Sequence, residues 1–124
     1  MIKRILVCGG RDFSDTGRVY AVLDRLYREH EFGVLIEGDA PGADRIAGYW
    51  ARKNGVDNLK FHADWGKHGR AAGPIRNLKM LAEGKPDLVV AFHVGPGTKN
   101  MVHLSEQADI PVMIIPAISD GDTP

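Results

Sequence analysis

Four glycine-bearing segments hold the residues of this 124-residue chain that are best suited to binding an anion. They are residues 8–13, 37–44, 64–73 and 93–98. Glycine lets backbone N–H groups approach a ligand closely, and N–H groups at a helix start bind phosphate, especially beside an arginine. Short turns between strands and helices also favour glycine, so no single segment is decisive. Together the four predict a phosphate-binding site, provided that the fold brings them to one edge.

Two cations lie where helices are expected to begin. Pro74 suits the first position of a helix, which would place Arg76 in the first turn, and Lys99 follows Thr98, a suitable N-cap. A cation in a first turn opposes the helix dipole by about 0.3–1 kcal/mol. A bound anion would offset this cost, whereas side chains that bend into solvent would need no ligand.

Three neighbouring side chains have two interpretations each. Asp44 either binds a ligand or only complements the dipole of a helix that begins there. Asp12 either binds a ribose hydroxyl or pairs with Arg11. Trp65 either stacks on a base or covers an edge of the core. The sequence leaves all three open.

Apolar runs and helical patterns alternate along the chain. Residues 5–7, 34–36, 88–92 and 112–115 are continuous apolar runs, the pattern of strands covered on both faces, and residues 59–61 form a weaker run. This alternation predicts an α/β fold, a single Rossmann-like three-layer domain with a mostly parallel five-stranded sheet and about four helices. Ligands of such folds bind beyond the carboxyl ends of the strands, which the four glycine-bearing segments follow.

The segments between these runs have helical spacing. The third helix is expected from Pro74 to Gly84, and the fourth, with a mixed face, from about Thr98 to Ala108. Cys8 ends an apolar run and fits an inert core residue. The first two helices have apolar faces formed by Val19, Val22, Leu23 and Leu26, and by Ala43, Ile46, Ala47, Trp50 and Ala51.

The composition is that of an ordinary soluble globular protein, with 44% hydrophobic and 26% charged residues. Lys plus Arg (16) equal Asp plus Glu (16), so no bulk positive charge exists to hold nucleic acid or a membrane. A single cysteine and the lack of a signal-peptide core or membrane span favour a cytoplasmic location. We expect one domain over residues 1–118 and a flexible tail over residues 119–124.

Common catalytic motifs are missing from the sequence. It contains no GxxxxGK[ST], no HExxH, no CxxC and no GxSxG, and "CGGRDF" departs from GxGxxG. We therefore expect neither a P-loop nucleotidase nor a dehydrogenase, and we expect no metal and no cofactor.

Four fragments, in this order, resemble one family. The fragments are "VCGGRDF", "GDAPGADRIAGYWARKNGV", "ADWGKHGRAAGPIRNLKM" and "DLVVAFHVGPGTKNMV". Together they resemble the YspA, or cpYpsA-related, branch of the SLOG superfamily over about residues 5–112. The resemblance implies a bacterial or phage source, a Rossmann-like fold and a nucleotide-derived ligand. More distantly, the chain is similar to the Lonely Guy (LOG) phosphoribohydrolases and to DNA-processing DprA/Smf proteins.

The LOG enzymes cleave the N-glycosidic bond of a nucleoside 5′-monophosphate, and their signature is matched in part. Arg76 matches the signature arginine, and Asn77 replaces its lysine. In the next signature loop, Gly95, Gly97 and Thr98 match GxGT. The resemblance therefore implies that the residues holding phosphate are retained.

The signature glutamate is missing, because Met101 stands in its place. Glycosidic cleavage passes through an oxocarbenium-like state that needs a nearby carboxylate. Asp44, Asp12, Asp39 and Glu37 are candidate substitutes, since all follow strands expected to end at the same edge.

The leading hypothesis is that the chain binds a nucleotide or nucleotide-derived ligand, phosphoribosyl or ADP-ribose-like, as a sensor, carrier or sequestering protein. The alternative is an N-glycoside hydrolase that uses Arg76 and Asp44, and the third is DprA-like binding of single-stranded DNA, which zero net charge makes unfavourable. The wider superfamily also implies homo-oligomers. The predicted ligand-binding residues are Gly9, Gly10, Arg11, Asp12, Gly38, Gly42, Ala43, Asp44, Trp65, Gly73, Arg76, Asn77, Gly95, Gly97, Thr98 and Lys99.

Overall fold

A computed structural model describes residues 1–116, which form a parallel five-stranded sheet with the order β3-β2-β1-β4-β5. The predicted α/β fold class is confirmed. The expected tail at residues 119–124, like the end of the expected domain, lies outside the described residues. The elements are β1 (Arg4–Gly9), α1 (Thr16–His30), β2 (Val34–Glu37), α2 (Ala43–Lys53), β3 (Asp57–Lys60), α3 (Trp65–His68), a 3₁₀ turn (Gly69–Ala71), α4 (Ala72–Gly84), β4 (Leu88–Phe92), α5 (Pro96–Gln107) and β5 (Val112–Ile115).

Two hydrophobic clusters, one on each face of the sheet, make the domain three-layered. Helices α1 and α2 pack on one face, where Trp50 is only 1% exposed and stacks on Phe32, so its predicted core position is confirmed. Helices α4 and α5 pack on the other face through Met80 and Met101. Cys8 is buried in this second cluster, which confirms its interpretation as a core residue.

The edge strands are less covered than their apolar sequences predict. In β5 the residues Met113 and Ile114 are 36% and 52% exposed, so the expectation of a strand buried on both faces is wrong there. β3 is also an edge strand and is mostly exposed. Only the central strands, β1 and β4 among them, have neighbours on both sides and helices above and below. An edge strand lacks one of those neighbours.

Helices α4 and α5 both begin two residues earlier than expected. Helix α4 starts at Ala72 as a continuation of the 3₁₀ turn, so Pro74 is its third residue and Arg76 lies beyond the first three positions. Proline is tolerated there because the N–H groups of the first turn have no partner within the helix. Helix α5 starts at Pro96 after Gly95, which makes Thr98 its third residue rather than its N-cap.

The direction of the strand order changes between β1 and β4. β2 and β3 lie on one side of this pair, whereas β5 lies on the other. The loops that follow β1 and β4 therefore diverge to opposite faces and leave a crevice at the carboxyl edge, which is the usual ligand position in open parallel sheets.

Candidate functional site

A cavity of about 330 Å³ occupies the crevice between β1 and β4. Its walls come from the loops after β1, β2 and β4 and from one face of α4. Among its lining residues are ten that the sequence predicts as ligand-binding: Gly9, Gly10, Arg11, Asp12, Asp44, Arg76, Asn77, Gly95, Gly97 and Thr98.

Arg76 is held in position by two hydrogen bonds. Its Nη1 donates to the carbonyl oxygen of Gly38 at 2.8 Å, and its Nε donates to Oδ1 of Asn77 at 3.0 Å. Asn77 is itself buried and donates to Oδ1 of Asn100 on α5 at 3.0 Å. In the part of the chain that the structure describes, no hydrogen bond uses Nη2 of Arg76. The guanidinium is therefore oriented on one side and free to bind on the other.

The dipole argument made from the sequence does not explain Arg76, because this residue lies beyond the first three positions of α4. Its position depends instead on the loop after β2. An ideal Cβ on Gly38 would lie 2.6 Å from Nη1 of Arg76 and 3.0 Å from Oδ2 of Asp44. Glycine at position 38 therefore lets the guanidinium lie against the backbone.

The Asp44 side chain binds the backbone of the loop after β2 rather than that of its own helix. Its Oδ2 accepts hydrogen bonds from the N–H groups of Gly38 at 3.1 Å and Ala40 at 3.3 Å, and its side chain does not cap α2. Burial raises the pKa of Asp44 to about 7, although both hydrogen bonds and the nearby charge of Arg76 act to lower it. A carboxyl group that exchanges a proton near neutral pH thus lines the cavity.

The first turn of α5 forms the opposite wall. Its N-cap, Gly95, provides no side-chain hydrogen bond, and Thr98 is buried at 4% exposure while lining the cavity. No atom lies within 4 Å of an ideal Cβ at Gly95 or Gly97. The N–H groups of this turn are therefore accessible to an anion.

Two of the four candidate acids already pair with basic side chains. Glu37 is fully buried and accepts a hydrogen bond from Nζ of Lys60 at 2.8 Å. Asp39 pairs with Lys60 and with His62, at 3.2 and 3.0 Å, and these contacts lower its pKa against the effect of burial. Neither residue lines the first cavity, whereas Asp44 and Asp12 both do.

Met101 cannot replace the missing acid because its thioether side chain has no carboxyl group; the residue lines the cavity and is a fully buried member of the second core cluster. Its exclusion from solvent fits its apolar character. Cys8 lines the same cavity, but burial raises the pKa of its thiol, so it stays protonated and is a poor nucleophile.

A second cavity of about 300 Å³ adjoins the first. The two share Arg11, Ala40 and Arg76, and the second also contains Gly38 and Trp65. The loop after β3 therefore reaches the second cavity, whereas the other three glycine-bearing segments reach the first.

Arg11 and Trp65 lie in contact within this second cavity. Trp65 is 49% exposed, so it is not a covered core residue, and the guanidinium of Arg11 lies 5.2 Å from the centre of its indole. Among the described residues Arg11 forms no ion pair with Asp12, so that pairing is wrong. Cation–π contact holds the guanidinium instead.

Four predicted residues line neither cavity. Gly42, at φ +89°, packs against the carbonyl oxygens of Gly10 and Arg11, and the buried Ala43 packs beneath Gly9. These two therefore support the loop after β1. Gly73 lies beside the indole of Trp65, and Lys99 is exposed past the first three residues of α5.

Other cavity residues were not predicted from the sequence. Ala40, Met80, His93 and Pro96 line the first cavity, and Arg45 and His62 line the second. His93 follows β4 directly and has φ +54°, a conformation that is uncommon outside glycine. Its place immediately after a buried strand was a usable signal. Arg45, by contrast, lies on a helical face with no distinguishing pattern.

The described residues contain no group of three or more His, Cys, Asp or Glu that is arranged to hold a metal ion. Over the same residues, 1–116, none of the helices has the length and apolarity needed to cross a bilayer.

Comparisons with known proteins agree with this architecture. The model of the YspA, cpYpsA-related SLOG family matches residues 3–68. The gene 61 protein of Mycobacterium phage D29 is 37% identical over 131 residues, which cover 99% of this chain and 100% of the phage protein.

Solved structures share the fold at low sequence identity. DNA processing protein A (DprA) from Streptococcus pneumoniae has a TM-score of 0.75 at 19% identity, over 97% of this chain and 53% of that one, so this chain spans about half its length. A universal stress protein from Archaeoglobus fulgidus has a TM-score of 0.53 at 18% identity, over 93% of this chain and 95% of that one. At these identities the likeness concerns the fold alone.

Proposed function

We propose that this chain, which belongs to the YspA, cpYpsA-related SLOG family, binds a nucleotide or nucleotide-derived ligand in the crevice between β1 and β4. One observation carries the proposal: the oriented guanidinium of Arg76 and the uncapped first turn of α5 line the same cavity. An arginine fork and helix N–H groups together suit a phosphate.

In this proposal the ligand contacts both walls of the cavity. Arg76 and the N–H groups near Gly97 and Thr98 hold the phosphate, and Asp12 lies at the loop after β1, where a ribose hydroxyl would bind. Met101 supplies no acid, which favours a role as sensor, carrier or sequestering protein over turnover by the LOG signature.

Calorimetry with the monophosphates of adenosine, guanosine, cytidine and uridine tests the proposal. We expect one or more of them to bind, and Arg76→Ala to weaken binding by roughly 10- to 150-fold, the effect of a lost hydrogen bond to a charged group. Arg28→Ala is the matched control, because it removes the same charge from an exposed position on α1, outside both cavities. Absence of heat with all four nucleotides, or equal loss in both variants, would contradict the proposal.

Hydrolysis of the N-glycosidic bond is a second candidate, favoured by Asp44. Its carboxyl lines the cavity, and its pKa of about 7 suits proton transfer near neutral pH. Chromatography after long incubation should then show free base from the wild type and none from Asp44→Asn. Equal cleavage by the two proteins would reject Asp44 as the acid.

A further inference from the structure

The second cavity holds an unassigned aromatic surface beside the proposed phosphate site. Trp65 is 49% exposed there, and its ring edge lies 3.4 Å from an ideal Cβ at Gly73, an ordinary van der Waals distance, so the indole packs beside this residue of α4. The guanidinium of Arg11 lies over the indole ring, 5.2 Å from its centre.

Arg11 and Arg76 line both cavities and therefore lie where the two meet. Arg45 also lines the second cavity, and it pairs at 3.6 Å with the one carboxylate there, Asp39, which pairs with Lys60 and His62 as well; Arg11 and Arg76 form no ion pair among the described residues. The junction is thus suited to negative charge, and the second cavity beyond it to a flat ring.

We propose that the two cavities are the two halves of one binding site for a nucleotide whose phosphate is joined to a second ring-bearing group, as in a dinucleoside pyrophosphate. This inference rests on the proposed function. The first cavity holds the first nucleoside. The two bridging phosphates lie between Arg76 and Arg11, and one of them also contacts the N–H groups of α5. The second ring stacks on Trp65 in the second cavity.

Stacking requires Arg11 to leave the indole. Its side chain is exposed and makes no ion pair among the described residues, so movement breaks little beyond the cation–π contact. Because Arg11 also lines the first cavity, the displaced guanidinium stays within reach of the bridging phosphates. The second ring of the ligand thus replaces the Arg11 guanidinium on the indole, and the guanidinium pairs with the bridging phosphates instead.

The test compares the four nucleoside monophosphates with the four symmetrical dinucleoside pyrophosphates by calorimetry. We expect a dinucleoside pyrophosphate to bind more tightly than its monophosphate, and Trp65→Ala to remove that advantage, by roughly 5- to 150-fold, as expected for one base–aromatic stack. The affinity for the monophosphate should remain within about twofold. Tyr49→Ala is the matched control, because Tyr49 is another exposed ring beneath an arginine, Arg52, and lies outside both cavities.

Tryptophan fluorescence gives an independent measurement. Trp65 is half-exposed whereas Trp50 is buried, so a stacked ring should quench Trp65, and the quenching should disappear in Trp65→Phe while binding persists.

The possible outcomes separate the two proposals. Monophosphate binding without a dinucleoside advantage, or an equal loss of both affinities in Trp65→Ala, overturns the two-part site alone. Absence of binding by all four monophosphates overturns the proposed function, and with it the two-part site that rests on it.

Discussion

Asp44 is the residue whose surroundings most change its chemistry. A carboxylate at the start of a helix is ordinarily stable and charged. Here the side chain turns back to the N–H groups of Gly38 and Ala40, and burial raises its pKa to about 7. The same group therefore shapes the loop that holds Arg76 and carries a proton that is exchangeable near neutral pH.

The pH dependence of stability should reveal this proton. Because the pKa is raised on folding from 3.8 to about 7, the folded chain binds the proton where the unfolded chain has lost it, so the contribution of Asp44 to stability falls as pH rises through that range. When the pH rises from about 5 to about 7, the wild type should lose about 2 kcal/mol of unfolding free energy relative to Asp44→Asn, which has no carboxyl group to titrate. Urea denaturation at the two pH values measures this, and parallel pH profiles of the two proteins would disprove it.

Substitution by alanine should mainly lower nucleotide affinity at Gly38 and mainly lower stability at Gly9. In Gly38→Ala the new methyl group meets the end of a flexible side chain, the Arg76 guanidinium, which moves away, and lies 3.0 Å from Oδ2 of Asp44, which must shift by a few tenths of an ångström. We expect nucleotide affinity to fall roughly tenfold, while the melting temperature changes little. In Gly9→Ala the methyl group meets the carbonyl oxygen of Phe92 at 2.6 Å and the buried Ala43 at 2.7 Å, so stability should fall instead.

Thermal unfolding and calorimetry on both glycine variants distinguish these effects. Adding Gly38→Ala to Arg76→Ala should cause no further loss of affinity, because the displaced group is then absent. An additive loss would mean that position 38 acts through something other than Arg76.

At the scale of elements, α5 joins the site to the core. Its third residue, Thr98, lines the cavity, Met101 lines the cavity and belongs to the second core cluster, and Ser105 is buried. One helix therefore supplies N–H groups to an anion and apolar packing to the sheet.

Two substitutions in α5 should separate these roles. Thr98→Val removes a hydroxyl at the cavity wall and should weaken nucleotide binding by about tenfold or more. Ser105→Ala removes the 2.7 Å hydrogen bond from Oγ to the carbonyl of Met101 and should lower stability without changing affinity. Calorimetry and thermal unfolding measure both. Unchanged nucleotide affinity in Thr98→Val would remove Thr98 from the proposed phosphate site.

Element boundaries explain why the helix-dipole argument does not apply to Arg76. Proline marks a helix start correctly only to within the first turn, because every position in that turn tolerates a missing N–H. The preceding 3₁₀ turn has no strong sequence signal, yet it extends α4 back to Ala72. The residue type indicated an anion site, but its placement in the helix did not.

At the scale of the whole molecule, the charge balance argues against single-stranded DNA as the ligand. The formal net charge is zero, and the exposed aromatic rings, Tyr27, Tyr49 and Trp65, lie on three different helices. A stacking groove with a basic track needs both features together. We expect no mobility shift of single-stranded oligonucleotides at ordinary salt, and a shift that weakens steeply with added salt would contradict this.

Much of the architecture was predictable because it depends on local patterns. Alternating runs and amphipathic spacings are set by neighbours in sequence, so the strands and the faces of α1 and α2 followed directly. Exposure of Met113 and Ile114 was not predictable in that way. It depends on β5 being an edge strand, and the order of strands depends on contacts between distant segments.

The sequence by itself determined the parallel α/β fold, the family and the types of residue that follow the strands: glycine, arginine and the absence of an acid at Met101. These properties are local, or are carried by motifs. Only the tertiary structure decided that the loop after β3 enters a second cavity, that Arg76 lies on the carbonyl of Gly38, and that burial raises the pKa of Asp44 to about 7. Each of these depends on the distance between residues far apart in the chain, and folding alone sets that distance.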